Sequence, residues 1–143
     1  MAVTQHQAYS ASIASVLTTE LNSIANAAVS AASAAIDNTT ALDLFDDLTL
    51  TLATQSARSA GATVTVLMVQ ALDGTNYDDA QVTCGQMVAV FSLDAATTAR
   101  QVSARDVPIP PGLFKYFVLN NTGQAFAASG NLLERRPHSV ETS

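Results

Sequence analysis

Residues 62–79 read ATVTVLMVQALDGTNYDD, and this stretch carries the two signals on which the fold depends. The first part, 62–72, is β-branched or apolar at nearly every position, which is typical of a strand buried on both faces. The following DGTNYDD ends that run, because Asp-Gly favours a tight turn and Asn76 tolerates a left-handed backbone. The stretch therefore predicts a central strand, with Leu72 on its core side, that leaves through a solvated turn.

Similar patterns occur on both sides of this strand. In DDLTLTLAT (46–54) leucine alternates with threonine, which indicates a half-buried antiparallel strand. Further strands are predicted at 87–93, 98–104, 113–120 and 123–136, and the three prolines of 107–112 predict an extended connector. Many short strands separated by turn signals are typical of an all-β sandwich or barrel.

Residues 10–36 allow two interpretations. Apolar residues at 13, 16, 17, 21 and 24 have helical spacing, and alanine favours a helix. The same stretch is rich in Ser and Thr, and Val29 to Ser33 fits an edge strand equally well. Periodicity leaves helix and strand open for residues 13–27.

Composition limits the classes of function. The chain has 143 residues, enough for one domain, and a formal net charge of −6. Residues 1–57 hold acids but no Lys or Arg, and the only basic pair is Arg135–Arg136, so we expect neither nucleic-acid binding nor attachment to anionic membranes. With 13% charged and 48% hydrophobic residues, the surface suits a protein that lies against other protein. No signal peptide or membrane-spanning run is recognisable, which predicts a protein used without export.

The sequence offers no set of catalytic residues. His6 and His138 lie near the chain ends, where segments are usually mobile, and no nucleophile or phosphate-binding motif occurs. The carboxylate pairs Asp46–Asp47 and Asp78–Asp79 are interpreted as solvated strand ends, since neighbours on a strand point to opposite faces. The lone Cys84 is interpreted as an inert, buried thiol. We therefore expect no enzyme, and no catalytic, cofactor-binding or metal-binding residues.

The acidic stretch 73–84 does not match the EF-hand pattern. Counting from Asp73, the third, fifth and twelfth positions are Thr75, Tyr77 and Cys84, which lack the required carboxylates. A looser calcium site in this loop is the alternative to a plain turn.

Three motifs together resemble a known family. Asp37-Asn38 precedes the strand region, DGTNY (73–77) follows the central strand, and NNTGQA (120–125) precedes the last strand. In this respect the chain, over about residues 20–130, resembles the small head decoration, or cement, proteins of tailed bacteriophages. The resemblance implies a jelly-roll-like β-sandwich, and it implies that residues 17–37 form two extended segments joined near Asn22–Ala27.

The resemblance also implies a function. We expect a structural virion protein, made in the host cytoplasm, that binds the outer surface of the phage head and bridges subunits of the major capsid protein. Its expected partners are that protein and further copies of itself, as a symmetric dimer or trimer, with no cofactor. The expected organisation is a flexible arm (1–12), an antiparallel β-sandwich (13–136) and a tail (137–143).

The alternative function is a carbohydrate- or protein-binding module of a phage tail or fibre. Sugar binding usually requires exposed aromatic platforms. Aromatic residues make up only 6% of this chain and Trp is absent, which disfavours that alternative.

Overall fold

The computed structural model describes residues 3–142, in which the regular structure is almost entirely β-strand. The strands are β1 (Gln5–Tyr9), β2 (Ala14–Leu17), β3 (Ile36–Asp37), β4 (Phe45–Leu52), β5 (Thr63–Ala71), β6 (Gln86–Ser92), β7 (Arg100–Pro108), β8 (Leu113–Asn121) and β9 (Leu132–Thr142). A short 3-10 turn spans Thr19–Leu21. In the described part of the chain, no helix is long and apolar enough to span a bilayer.

The strands form two antiparallel sheets. The first has the order β1-β9-β4-β7, with β2 also paired to β9, and the second has the order β3-β8-β5-β6. If β1 and β2 are counted as one interrupted strand, the chain has eight strands, and β3 to β9 become strands 2 to 8. The two sheet orders are then 1-8-3-6 and 2-7-4-5, which is the arrangement of an eight-stranded jelly roll. The predicted all-β, jelly-roll-like sandwich is confirmed.

The core lies between the two sheets and follows the pattern read from the sequence. In β4 the residues Leu48, Leu50 and Leu52 face inward, at 1% exposure or less, while the threonines between them face outward. From the second sheet, β5 and β8 contribute Val64, Val66, Met68, Phe114, Tyr116 and Val118. Each fully buried side chain of this size stabilises the fold by about 1.5–3 kcal/mol.

A second apolar cluster explains why β5 is buried on both faces. Leu67, Val69 and Phe117 point away from the main core and are covered by the segments around Val29 and Tyr77. Loop segments rather than a third sheet therefore bury the outer face of β5 and β8. The prediction of a central, doubly buried strand at 62–72 is confirmed, because β5 lies between β8 and β6.

The ambiguous residues 10–36 contain no α-helix. They form β2, the 3-10 turn, a single bridge between Val29 and Leu119, and β3. Ser23 and Ala27 adopt positive φ angles of 57° and 63°, so the chain turns sharply there. Extended segments thus flank a turning region over residues 19–27, in agreement with the resemblance and against the helical spacing.

The chain ends differ from the expected arm and tail. Residues 5–9 form β1, which pairs with residues 138–142 at the end of β9. The last strand begins at Leu132 and continues through most of the predicted tail, while the residues from 123 to 131 form a loop. The boundaries at 12/13 and 136/137 therefore do not separate the sandwich from its ends within the described residues. Residues 1, 2 and 143 of the expected arm and tail lie outside them.

Three local predictions are wrong. Leu72 is 96% exposed instead of facing the core, because β5 ends at Ala71 and the chain turns outward. Gly74 has the expected positive φ of 78°, but Asn76 does not; its backbone and side-chain amides instead donate hydrogen bonds to Asp73. Cys84 is exposed, since the loop before β6 lies on the surface.

Candidate functional site

The most polar part of the first sheet lies where β4, β7 and β9 run side by side. The β4–β7 register pairs Asp46 with Val107 and Leu48 with Ala104, so that Arg105 and Asp106 together face the single residue Asp47. Asp106 adopts a positive φ of 56°, a conformation that Asp tolerates better than most residues. This β-bulge turns the Asp106 side chain towards Asp47, and bulges often re-aim a side chain in this way.

His138 on β9 completes a three-residue cluster with these two aspartates. Its Nε2 lies 3.1 Å from Asp47 Oδ1 and 3.1 Å from Asp106 Oδ1. The imidazole is 2% exposed and stacks on the ring of Phe45, with the centroids 5.3 Å apart. We call Asp47, Asp106 and His138 the β-bulge cluster. It contradicts the expectation that His138 lies on a mobile end.

Hydrogen bonds hold the Asp47 carboxylate in place. The Tyr9 hydroxyl donates to Oδ2 at 2.7 Å, and the Asp106 N–H donates to Oδ1 at 3.0 Å. Partial burial raises the pKa of Asp47, but these hydrogen bonds and the neighbouring His138 lower it more, so the net shift is downward. The hydrogen bond between the Tyr9 hydroxyl and Asp47 raises the pKa of Tyr9.

Two arginines lie beside the cluster. Arg105 Nη1 lies 3.8 Å from Asp47 Oδ2, and the Arg136 guanidinium lies 3.7 Å above the Tyr9 ring. Gln7 donates a hydrogen bond to Asp106 Oδ1 at 3.2 Å. The shallow groove next to the cluster is lined by Tyr9, Ile13, Asp47, Leu48, Thr49, Ser103, Ala104, Arg105 and Arg136. The surface there combines charged groups of both signs on four neighbouring strands.

The expectation that Asp46 and Asp47 are solvated strand ends is wrong. They do point to opposite faces, but Asp46 faces the core, where its side chain is 0% exposed. It accepts hydrogen bonds from the Tyr116 hydroxyl at 2.7 Å and from Arg135 Nε at 2.8 Å, and Arg135 Nη2 lies 2.7 Å from its other oxygen. Burial, followed by the charge of Asp46, raises the pKa of Tyr116. Asp46 therefore has a structural ion pair, as a buried carboxylate requires.

The other predicted pair is exposed. Asp78 and Asp79 lie on the surface of the loop after β5, which confirms them as solvated. In the same loop Asp73 accepts hydrogen bonds from the N–H groups of Thr75 and Asn76 at 2.8 and 2.7 Å. These hydrogen bonds, with that from the Asn76 side chain, lower the pKa of Asp73. The carboxylate is thus used to cap its own turn.

A second ion-pair network joins two loops at the opposite end of β4. The Arg58 side chain, 0% exposed, donates to the Asp94 carboxylate at 2.9 Å and to the carbonyl oxygen of Thr98 at 3.0 Å. Arg100 pairs with the same carboxylate. Hydrogen bonds from Arg100, and then from Arg58, lower the pKa of Asp94 to about 2.

A further surface feature is apolar. Leu72 is 96% exposed, Leu42 is 53% exposed and Leu44 is 51% exposed. Leu72 lines a groove with Pro110 and Pro111, and the Leu44 carbonyl oxygen accepts a hydrogen bond from the N–H of the neighbouring Ile109. These residues lie in loops at one end of the sandwich. We call the set the apolar loop end: Leu42, Leu44, Leu72, Pro110 and Pro111.

The sequence did not predict the β-bulge cluster or the apolar loop end, and the reasons differ. The members of the β-bulge cluster are distant in sequence and meet only through sheet pairing, so no local motif marks them. The apolar loop end has a sequence signal, since Leu72 and the prolines interrupt or follow strands. That signal predicts only a strand end and a connector, because exposure cannot be read from a single apolar residue.

Comparisons with known proteins reach only the level of the fold. No protein-family model and no curated protein matches the chain. Among solved structures, the chain is similar to the CBM36-1 domain of a multidomain xylanase from the hindgut metagenome of Trinervitermes trinervoides, with 11% identity, 99% of this chain and 97% of that chain covered, and a TM-score of 0.45.

Two further structures are similar to a comparable degree. One is the carbohydrate-binding module CBM36 in complex with calcium and xylotriose, at 11% identity, with 98% of this chain and 99% of that chain covered and a TM-score of 0.40. The other is the structure of infectious bursal disease virus Gt strain, at 13% identity and a TM-score of 0.41, with 98% of this chain but only 32% of that chain covered. All three are likenesses of fold alone.

Proposed function

We propose that the protein is a capsid decoration protein, which binds the outer surface of a tailed-phage head and bridges subunits of the major capsid protein. The observation that carries the proposal is the apolar loop end, where Leu42, Leu44 and Leu72 are all more than half exposed. Leu72 lines one groove with Pro110 and Pro111, and contiguous exposed apolar surface marks sites of protein contact. The resemblance to the decoration family supplies the identity of the partner.

The mechanism is adhesive. The loops that carry Leu44, Leu72 and Pro110 connect strands of two tightly packed sheets. Binding therefore costs little conformational entropy for ordering these loops. Burying one such leucine contributes about 1.5–3 kcal/mol before the cost of association. Contact through one copy is therefore weak. A dimer or trimer on a symmetric shell engages several subunits at once, and this avidity makes the attachment stable.

The matched variants Leu44→Glu and Val90→Glu test the docking surface. Both side chains are about half exposed, at 51% and 50%, but Val90 lies in the middle of β6, away from the apolar loop end. Purified heads that lack the protein should bind Val90→Glu like the wild type. They should bind Leu44→Glu, and Leu72→Glu, with clearly reduced occupancy. Equal occupancy of all three variants would contradict the docking surface.

The reinforcing role needs a separate measurement. Heads without the protein should assemble but release DNA at lower temperature or milder osmotic shock than heads that carry it. Heads that withstand heat and shock equally well in both forms would rule out reinforcement.

The glycan-binding alternative has no specific support in the described residues. Among the aromatic side chains of the described residues only Tyr9 is exposed, at 42%, and Arg136 covers its ring. Saturable binding of the wild type to an oligosaccharide, without binding to heads, would nevertheless favour that alternative over the capsid.

A further inference from the structure

We propose that the β-bulge cluster binds a first-row transition dication such as Zn²⁺. Asp47, Asp106 and His138 each offer one ligand atom, and these atoms all lie within 4.8 Å of one another. The inference is independent of the capsid proposal, because it rests on different residues and on a different kind of ligand.

The distances fit a shared cation. Ligand atoms bonded to one Zn²⁺ at about 2.0–2.2 Å are separated from each other by roughly 3 Å or slightly more. His138 Nε2 lies 3.1 Å from each of the two carboxylate oxygens. A neutral imidazole has a single Nε2 proton, which cannot make two good hydrogen bonds at once. A cation between the three atoms would neutralise both carboxylates.

The ligands are held in position before any ion arrives. His138 is 2% exposed and is fixed by stacking on Phe45. Asp47 is oriented by the Tyr9 hydroxyl and the Asp106 N–H, the kind of outer hydrogen bonds that accompany metal ligands. Asp106 is 51% exposed, which gives an ion a path from solvent and leaves room for water to complete the coordination.

The donor set selects the class of metal. One imidazole and two carboxylates suit Zn²⁺, Ni²⁺, Co²⁺ or Mn²⁺. Ca²⁺ prefers six to eight oxygen ligands at 2.3–2.6 Å. Because one of the three ligands here is an imidazole nitrogen, the site disfavours Ca²⁺. Arg105, 3.8 Å from Asp47 Oδ2, repels any cation and should weaken binding.

Titration of the full chain with ZnCl2 after removal of metals by chelation tests the site. Calorimetry should show one saturable Zn²⁺ site per chain, a rise in melting temperature with Zn²⁺, and no comparable effect of Ca²⁺. Asp106→Asn should lower the Zn²⁺ affinity at least tenfold. This variant keeps the fold, because Asn also tolerates the positive φ of 56° at this position.

Three further variants make the assignment specific. Arg105→Gln should bind Zn²⁺ more tightly than the wild type, and the exposed Asp79→Asn should bind like the wild type. His6→Gln should also bind normally; it controls for the nearby His6–Glu141 pair, whose atoms are 3.5 Å apart. The proposal is overturned if the wild type shows no saturable Zn²⁺ binding. It is equally overturned if Asp106→Asn binds as well as Asp79→Asn.

Discussion

Replacing Asp46 by alanine should be among the most damaging single changes in the chain. The carboxylate is completely buried and has polar contacts with the Tyr116 hydroxyl and with two nitrogens of Arg135. Asp46→Ala leaves Arg135, whose side chain is only 16% exposed, without its counter-ion, and leaves the hydroxyl of Tyr116 without an acceptor. Both groups remain in a low-dielectric core.

The magnitude follows from the burial of the pair. Removing one partner of a buried ion pair costs about 3–5 kcal/mol, because the remaining charge is uncompensated. The free energy of unfolding of an ordinary domain is about 5–15 kcal/mol, so this cost is as much as half of the stability or more. Tyr116→Phe removes a single hydrogen bond to a charged group and should cost about 1.5–3 kcal/mol.

A double-mutant cycle measured by urea unfolding separates these effects. In the Asp46→Ala background the Tyr116 hydroxyl is already unsatisfied, so Tyr116→Phe should cost little or nothing there. The coupling between the two sites should be about 1 kcal/mol or more. Asp79→Asn serves as the surface control and should change stability by at most about 0.5 kcal/mol. If Asp46→Ala costs no more than this control, the ion pair does not stabilise the fold as argued.

Three other predictions concern packing, pH and calcium. Gly85→Ala should destabilise the fold by about 1–3 kcal/mol in the same urea assay, because the new Cβ would lie 2.5 Å from Phe117 Cζ. Gly112→Ala is the control and should be nearly neutral, because no atom outside its chain neighbours lies within 4 Å of the new Cβ. The folded pKa of Asp94 is lowered from 3.8 to about 2, so the stability from its two arginines is present above 3.8 and lost as the pH falls through about 2. The stability difference between wild type and Asp94→Asn should therefore shrink over that range, and a constant difference would contradict the ion-pair network. Melting curves with excess calcium and with chelator should coincide, because the Asp73 carboxylate already caps its own turn; a calcium-dependent rise abolished by Asp73→Asn would reveal a calcium site in that loop.

The central strands β4 and β5 could be predicted from the sequence because their positions depend on local pattern. The alternation in β4 corresponds directly to one buried and one outward face, and the continuous apolar run of β5 corresponds to burial on both faces. The same local reasoning placed Leu72 in the core, although it is 96% exposed. A strand's last residue is decided by where its partner strand stops, and β8 pairs with β5 only as far as Ala71.

Asp46 is buried and Asp47 faces outward, and local pattern does not contain the information that allows the burial of Asp46. Alternation along β4 predicts that the two side chains point to different faces, and they do. Whether the inward one can be tolerated depends on Arg135 and Tyr116, which reach it from β9 and β8. Local pattern predicts that a carboxylate in a strand is solvated, because buried acids are rare unless paired. The pairing partner, 89 residues away in sequence for Arg135, has no local signal.

The cluster of Asp47, Asp106 and His138 has the same origin in long-range pairing. In this jelly roll β9 returns to lie between β1 and β4, so a residue near the chain end, His138, is placed beside Phe45 and buried. The rule that chain ends are mobile fails when an end strand is inserted into the middle of a sheet. The bulge in β7 then adds Asp106 from the other side of β4. Three strands that are distant in sequence thus bring together the two carboxylates and the imidazole, and a ligand that binds all three would stabilise the pairing of β9, β4 and β7 as well as occupying a surface site.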